Sequence, residues 1–237
     1  MHSCRIGMNE NIQETLVSIL KQSKNDTAIR SPKGLMMKVF EELGVNQESD
    51  GRWILTREQR IAIALKAISV GVEPETVVMN MTWKDFEGLI AQVLTENNYD
   101  CTESFRRRGT KLEEGMEIDV IGVKGDSILV IDAKMWGLRK YKVSALIEAV
   151  KKQIIRTERL ADQLDNLTTR LSNLKPRRYS LYPIMVTWLV EDVKFYEGVP
   201  VVPIFKLNAF LQELSRFQDM VISIEGVLES KMQQTKL

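Results

Sequence analysis

The stretch that most narrows what this chain can fold into runs from Glu117 to Lys134, reading EIDVIGVKGDSILVIDAK. Two apolar segments flank a tight-turn signal at Lys124-Gly125-Asp126, so the spacing predicts a hairpin over 116–123 and 127–134. The first segment carries Asp119 among Ile118, Val120 and Ile121. The second is a continuous apolar run, Ile128 to Ile131, of the kind buried on both faces in the middle of a sheet. It ends in Asp132-Ala133-Lys134, and because strand side chains alternate, Asp132 and Lys134 share one face. Opposite charges at the mouth of a core strand, with a further carboxylate on the hairpin partner, cost desolvation free energy that a purely structural strand avoids. Two readings stand side by side: a strand-end salt bridge, or a reactive site.

Several chemistries drop out at once. The single histidine is His2, which leaves no base for Ser-His-Asp or Cys-His catalysis and no histidine-ligated zinc site. Cys4 and Cys101 lack metal-ligand spacing, and a disulfide between them is not expected in a reducing compartment. Chemistry must then rest on carboxylates, lysines and a hard, oxygen-seeking ion such as Mg²⁺. A net charge of +1 gives no global attraction to nucleic acid, so a local basic patch would have to provide it. No run of about eighteen apolar residues is present, so no membrane span is expected. The opening MHSCRIGMNENIQ has no hydrophobic signal region, which points to a cytoplasmic protein.

The chain reads as two modules, residues 1–80 and 81–237. In the first, 9–22 is an amphipathic helix with Ile12, Leu16, Ile19 and Leu20 at helical spacing. Ser31-Pro32 predicts the start of a second helix that runs to Leu43, with Gly44 as its capping glycine. Arg52 to Leu55 suits a short strand, and Thr56 begins a third helix that ends at Gly71. This is the content of a winged-helix DNA-binding module, and equally of an N-terminal cap on a larger domain. In the second module Thr82 caps a helix from Trp83 to about Asn97, with Trp83, Phe86, Ile90, Val93 and Leu94 as its apolar stripe. Glu87 falls on that stripe, either as an edge residue or in a buried ion pair, or facing the acidic hairpin. Asp100 to Arg107 is a strand preceding the hairpin. Ser144 then predicts a long helix that Pro176 would end, carrying the stripe Leu146, Val150, Gln153, Thr157, Leu160, Leu164, Leu167, Leu171 and Leu174. Its first polar interruption, Gln153, is the residue expected to face the acidic site. Ile184–Val190 and Val199–Phe205 suit buried strands, and Leu207–Phe217 a closing helix.

The order is helix with an inward Glu87, strand, strand with Asp119, strand with Asp132-x-Lys134, helix with Gln153, then two strands and a helix. Over residues 82–217 this resembles the PD-(D/E)XK nuclease superfamily, with its restriction-endonuclease-like fold. It most resembles the branch holding Mrr-type restriction enzymes and archaeal Holliday-junction resolvases. Asp119 matches the first acid, Asp132 the second, Lys134 the motif lysine, Glu87 the acid of the first helix and Gln153 the helix glutamine. Ile118 stands where the motif name has Pro, and the second acid is Asp rather than Glu; neither change removes a ligand. The resemblance implies an α/β fold, a central mixed sheet flanked by helices with an N-terminal helical module. It also implies a DNA endonuclease of repair or restriction that uses Mg²⁺, with Mn²⁺ as substitute. Asp119, Asp132 and the Ala133 backbone carbonyl would hold the metal, and Glu87 a second metal or its water. Lys134 would orient the attacking water or neutralise developing charge, and Gln153 would position the nucleophile or a phosphate.

Basic residues flank the site in sequence. Arg106, Arg107, Arg108 and Lys111 precede the hairpin, and Arg139, Lys140 and Lys142 follow Lys134. They are candidates for DNA phosphate contacts, although each run alone also suits a solvated loop. A homodimer is compatible with the 146–174 stripe as a seam. The alternatives are a nuclease-fold DNA-binding or scaffold subunit that does not cleave, a winged-helix regulator, and an RNA-directed nuclease.

Overall fold

The computed structural model describes residues 3–109, 115–135, 142–171, 173–217 and 219–229. The chain forms two compact units, Met1–Leu89 and Ile90–Leu237, and the division runs through one helix. No helix among the described residues is long and apolar enough to cross a membrane.

The N-terminal unit contains α1 (Ser3–Gln22), β1 (Ile29–Arg30), α2 (Leu35–Glu42), β2 (Arg52–Trp53), α3 (Arg57–Ser69) and α4 (Pro74–Met79). α5 (Trp83–Glu96) begins in it. β1 and β2 pair antiparallel across α2. α2 starts later than its sequence predicts. Ser31 has φ +53°, outside the extended conformation an N-cap needs, and Gly34 with φ +57° is the residue that opens the helix. Thr56 caps α3 in a reciprocal box with Gln59. Thr82 opens α5 the same way: its hydroxyl accepts from the Asp85 N–H at 3.1 Å, and Asp85 Oδ2 accepts from the Thr82 N–H at 2.7 Å. Trp83, expected on the buried stripe of α5, is 47% exposed, whereas Phe86, Leu89, Ile90 and Leu94 are buried.

Periodicity gives no warning of a hub inside this unit. Arg60 lies buried between apolar neighbours of α3 and bonds in several directions at once. Its Nη2 donates to Asp85 Oδ2 at 3.0 Å and to the Asn80 carbonyl at 2.8 Å. Its Nη1 donates to the Leu20 carbonyl at 3.1 Å and to the Ser23 hydroxyl. One guanidinium thus ties α1, α3 and the start of α5 together.

The C-terminal unit is built on a mixed sheet of seven strands. These are β3 (Asp100–Arg107), β4 (Met116–Lys124), β5 (Ser127–Lys134), β6 (Arg177–Thr187), β7 (Phe195–Tyr196), β8 (Val199–Pro203) and β9 (Ile224–Leu228). The order is β3-β4-β5-β6-β8-β7, with β9 paired to the first half of β6 and β8 to its second half. β4 runs antiparallel to β3 and β5, while β5 and β6 are parallel. The predicted core strand β5 is therefore central, and Ile128 to Ile131 are all fully buried.

Helices cover both faces. α6 (Lys142–Ala161) lies on one, where Leu160 and Ala161 join Ile121, Ile128, Val130 and Leu181 in a single apolar cluster. On the other, Leu94 of α5 sits so close to β4 that a Cβ at Gly122 would come within 3.0 Å of Leu94 Cδ1. α7 (Ile204–Glu213) closes the unit beyond β8. The predicted stripe of α6 is correct in its spacing: Leu146, Val150, Gln153, Thr157, Leu160, Leu164, Leu167 and Leu171 are all buried. Two expectations are corrected. The stripe packs inside its own unit, which removes it as a dimer seam. The helix also stops at Ala161, giving way to a 3-10 turn at Leu164–Thr169 instead of reaching Pro176. There the Thr168 and Thr169 hydroxyls donate to the carbonyls of Asp165 and Asn166, local bonds that compete with an α-helical ladder.

Candidate active site at the carboxyl end of the central strand

The ladder between β4 and β5 runs from the turn, Lys124 opposite Ser127, up to Val120 opposite Ile131, and stops there. On the other side of β4, pairing with β3 skips one position, that of Asp119 and Ser104. Ser104 has φ +48°, a left-handed conformation that is uncommon for a non-glycine residue and concentrates at functional sites. The registers on both sides of β4 thus break at Asp119. The side chain fills the gap: Asp119 Oδ2 accepts from the Ala133 N–H at 2.7 Å, in place of a main-chain acceptor. The N–H and C=O of one strand residue project to the same neighbouring strand, so the Ala133 carbonyl is directed to the same side.

Asp132 is only 3% exposed, and Val130, Asp132 and Lys134 share the face covered by α6. Lys134 Nζ lies 2.5 Å from Asp132 Oδ2, and Arg156 Nη1 donates to Oδ1 at 2.9 Å. The lysine approach is an ion pair rather than an aligned hydrogen bond, so among the described residues the buried Oδ2 receives no aligned donor. Gln153 is fully buried; its Nε2 donates to the Val130 carbonyl at 2.8 Å, while its Oε1 has no partner among the described residues. Thr157, one turn further along α6, is also buried and bonds back to the Gln153 carbonyl at 2.8 Å. Buried oxygens without aligned donors are rare, and among the described residues two occur here, one on β5 and one on the helix that covers it.

Asp119, Ala133, Asp132, Lys134 and Gln153 therefore gather around the carboxyl end of β5. In open α/β sheets this is the end where ligands bind. Arg156 joins them, a residue the sequence reading did not single out. The signal was available, because Arg156 follows Gln153 by one helical step of three and so lies on the same side of α6. Glu87 is half-buried on α5 and belongs to the N-terminal unit.

The basic residues divide. Arg106 stands directly opposite Glu117 in the β3–β4 register and pairs with it at 2.6 Å. Arg107 donates to Gln163 Oε1, just past the end of α6. Arg108 is exposed. Lys111, Arg139 and Lys140 lie outside the described residues, and Lys142 is described only as the first residue of α6.

A divalent cation can be tested against this donor set. No group of three or more His, Cys, Asp or Glu side chains arranged to hold a metal occurs among the described residues. The donors that do fit are hard oxygens: the Asp119 carboxylate, Asp132 Oδ2 and the neighbouring Ala133 carbonyl. A two-carboxylate set suits Mg²⁺, which keeps several waters and completes its shell with phosphate oxygens.

No family model matches the chain. An uncharacterized protein of Archaeoglobus fulgidus is 29% identical over 135 residues, 56% of this chain and 92% of its own length. Among solved structures the chain is similar to a Vibrio cholerae protein at 13% identity and a TM-score of 0.34, covering 90% of this chain and 51% of that one. It is also similar to Can2 from Sulfobacillus thermosulfidooxidans, solved in complex with cyclic tetra-adenylate, at 12% identity and a TM-score of 0.34. That match covers 86% of this chain and 52% of Can2, so the chain spans about half the length of each of these two proteins.

Proposed function

We propose that the C-terminal unit is a metal-dependent DNA endonuclease that hydrolyses phosphodiester bonds. The observation that carries this is Asp132 Oδ2: a buried oxygen with no aligned donor among the described residues, at the carboxyl end of a central strand, beside Lys134 and next to the residue that Asp119 holds. Mg²⁺, or Mn²⁺ in its place, would be held by Asp119, Asp132 and the Ala133 carbonyl, and supplies Lewis acidity toward phosphate oxygens. Lys134 keeps its ammonium beside the scissile group, where it orients the attacking water or neutralises charge developing on the phosphoryl oxygens. Gln153 holds the Val130 carbonyl and so fixes the strand that carries Asp132. Asp119, bonded to the Ala133 N–H, keeps the end of β5 in register with the site. The N-terminal unit serves as an aid to DNA binding.

One observation favours a second reading. Both oxygens of Asp132 already face a cation, as they would in a nuclease-fold DNA-binding or scaffold subunit that does not cleave. The full chain, incubated with supercoiled, branched and single-stranded DNA in Mg²⁺ or Mn²⁺, separates the two. The nuclease reading expects cleavage by the wild type and none by Asp132→Ala. It is abandoned if the wild type cleaves nothing in either metal, or if the variant cleaves equally fast. Salt-sensitive binding without cleavage supports the scaffold.

A further inference from the structure

Asp132 is 4% exposed at its side chain, while its counter-ions are more open: Lys134 at 21% and Arg156 at 33%. The cations therefore stand between the buried carboxylate and solvent. In the absence of a metal this is what the carboxylate requires, since a buried charge without a counter-charge is strongly destabilising. Asp119, Asp132, Lys134 and Arg156 carry two negative and two positive charges, a sum of zero. A divalent cation on the two carboxylates raises that sum to +2 and takes over the neutralisation of Asp132. Arg156 has the chemistry to respond. Its planar fork of N–H donors matches phosphate geometry better than an ammonium does. Among the described residues it spends one nitrogen, Nη1, on Asp132. It also stands on α6 one helical step from Gln153, which anchors the helix to β5.

We propose that Arg156 is a phosphate-binding residue held in reserve by Asp132. Without a divalent cation the guanidinium neutralises the carboxylate. When the cation and nucleic acid arrive, it turns to a backbone phosphate of the bound strand. The switch rests on the nuclease reading of the same site, and it assigns to Arg156 a contact that the sequence motif does not.

Binding of a labelled DNA duplex by the full chain tests this apart from cleavage. In EDTA, Arg156→Ala costs about twofold in affinity, the long-range effect of one lost charge, because the guanidinium is committed to Asp132. In Ca²⁺, a hard cation with oxygen ligands, Arg156→Ala binds about tenfold more weakly, and the slope of log affinity against log salt falls by about one. Asp132→Asn in EDTA releases Arg156 and binds DNA about tenfold more tightly than the wild type, a gain that Asp132→Asn with Arg156→Ala loses. Arg156→Gln, which keeps a polar side chain, repeats each measurement where the alanine variant melts early. Wild-type affinity for the Arg156 variants in Ca²⁺, or a double variant as tight as Asp132→Asn alone, overturns the switch and leaves the nuclease reading standing. A wild type that binds no DNA in Ca²⁺ removes both.

Discussion

Asp85 and Asp132 are buried to the same degree, 3% exposed each, and each faces an arginine, yet their surroundings differ in kind. Around Asp85 every demand is met. The guanidinium of Arg60 bonds both carboxylate oxygens, the Thr82 N–H adds a third donor, and Arg60 spends its remaining donors on carbonyls and a hydroxyl. Arg60 is itself only 3% exposed. Around Asp132, among the described residues, one oxygen lacks an aligned donor, both cations reach solvent, and the adjoining helix carries a glutamine with an unmet acceptor. A closed network locks three elements into one arrangement and leaves no donor or acceptor for a ligand. An open network keeps its counter-ions exchangeable. Burial of a charge therefore marks a site only when its hydrogen bonding is incomplete.

The difference can be broken by mutation, beginning with the largest effect. Asp132→Asn is nearly isosteric and is expected to lower DNA cleavage by on the order of a thousandfold, measured as plasmid nicking rates, with a small change in urea midpoint. Asp85→Ala should behave oppositely, destabilising the chain by about 3–5 kcal/mol because Arg60 is left buried and unpaired. Adding Arg60→Met to Asp85→Leu should recover much of that loss in urea titrations, since well-packed apolar replacements of a buried pair are often tolerated. Failure of the double variant to recover would mean that the Thr82 and Asn80 contacts, rather than the ion pair, hold the unit together. Gln153→Leu gives an intermediate case. It removes a donor-less buried oxygen together with one bond to the sheet, so its stability should change by less than about 1 kcal/mol while cleavage falls.

The smallest effect concerns a group outside both networks. Burial pushes the Cys101 thiol up to about 11 from an ordinary value of 9.0. Between those values the unfolded chain gives up this proton and the folded one keeps it, so the contribution to stability is present below pH 9 and is lost as pH rises toward 11. In a Cys4→Ala background, the remaining thiol should react with iodoacetamide more slowly in the native protein than in urea. Equal rates would show that β3 does not shield it. Cys101→Ala should flatten the decline in urea midpoint over the same pH range.

Much of the second unit was legible in the chain. The hairpin was, because Ile128–Ile131 and the Gly125-Asp126 turn admit few alternatives, and so was the caging of Asp132 and Lys134 on one face. The buried spacing of α6 was also legible, since a stripe with steps of three and four can be buried whether or not the helix continues. Its end at Ala161 was not, because the Thr168 and Thr169 hydroxyls donate to the backbone carbonyls of Asp165 and Asn166, local bonds that no periodicity records. Nor were β7, only two residues long beside its neighbour β8, and β9, whose partner β6 lies far away in sequence. Arg60 and Arg156 were passed over for one shared reason, although Arg156 also carries the three-residue step from Gln153. An arginine on an otherwise apolar helix face looks like an edge residue until its partner is in view.

The sequence by itself determined which residue types stand at the end of the core strand, and that histidine and cysteine chemistry are absent from it. Alternation and turn chemistry are local rules, and they sufficed to put Asp119, Asp132 and Lys134 within one hairpin. Only the tertiary structure decided which oxygen lacks a donor and which cations guard it. That depends on β4 parting from its neighbours at Asp119 and on α6 laying Gln153 and Arg156 across β5. Hydrogen bonds between distant segments have no signature in either segment alone, and the candidate chemistry depends on those bonds.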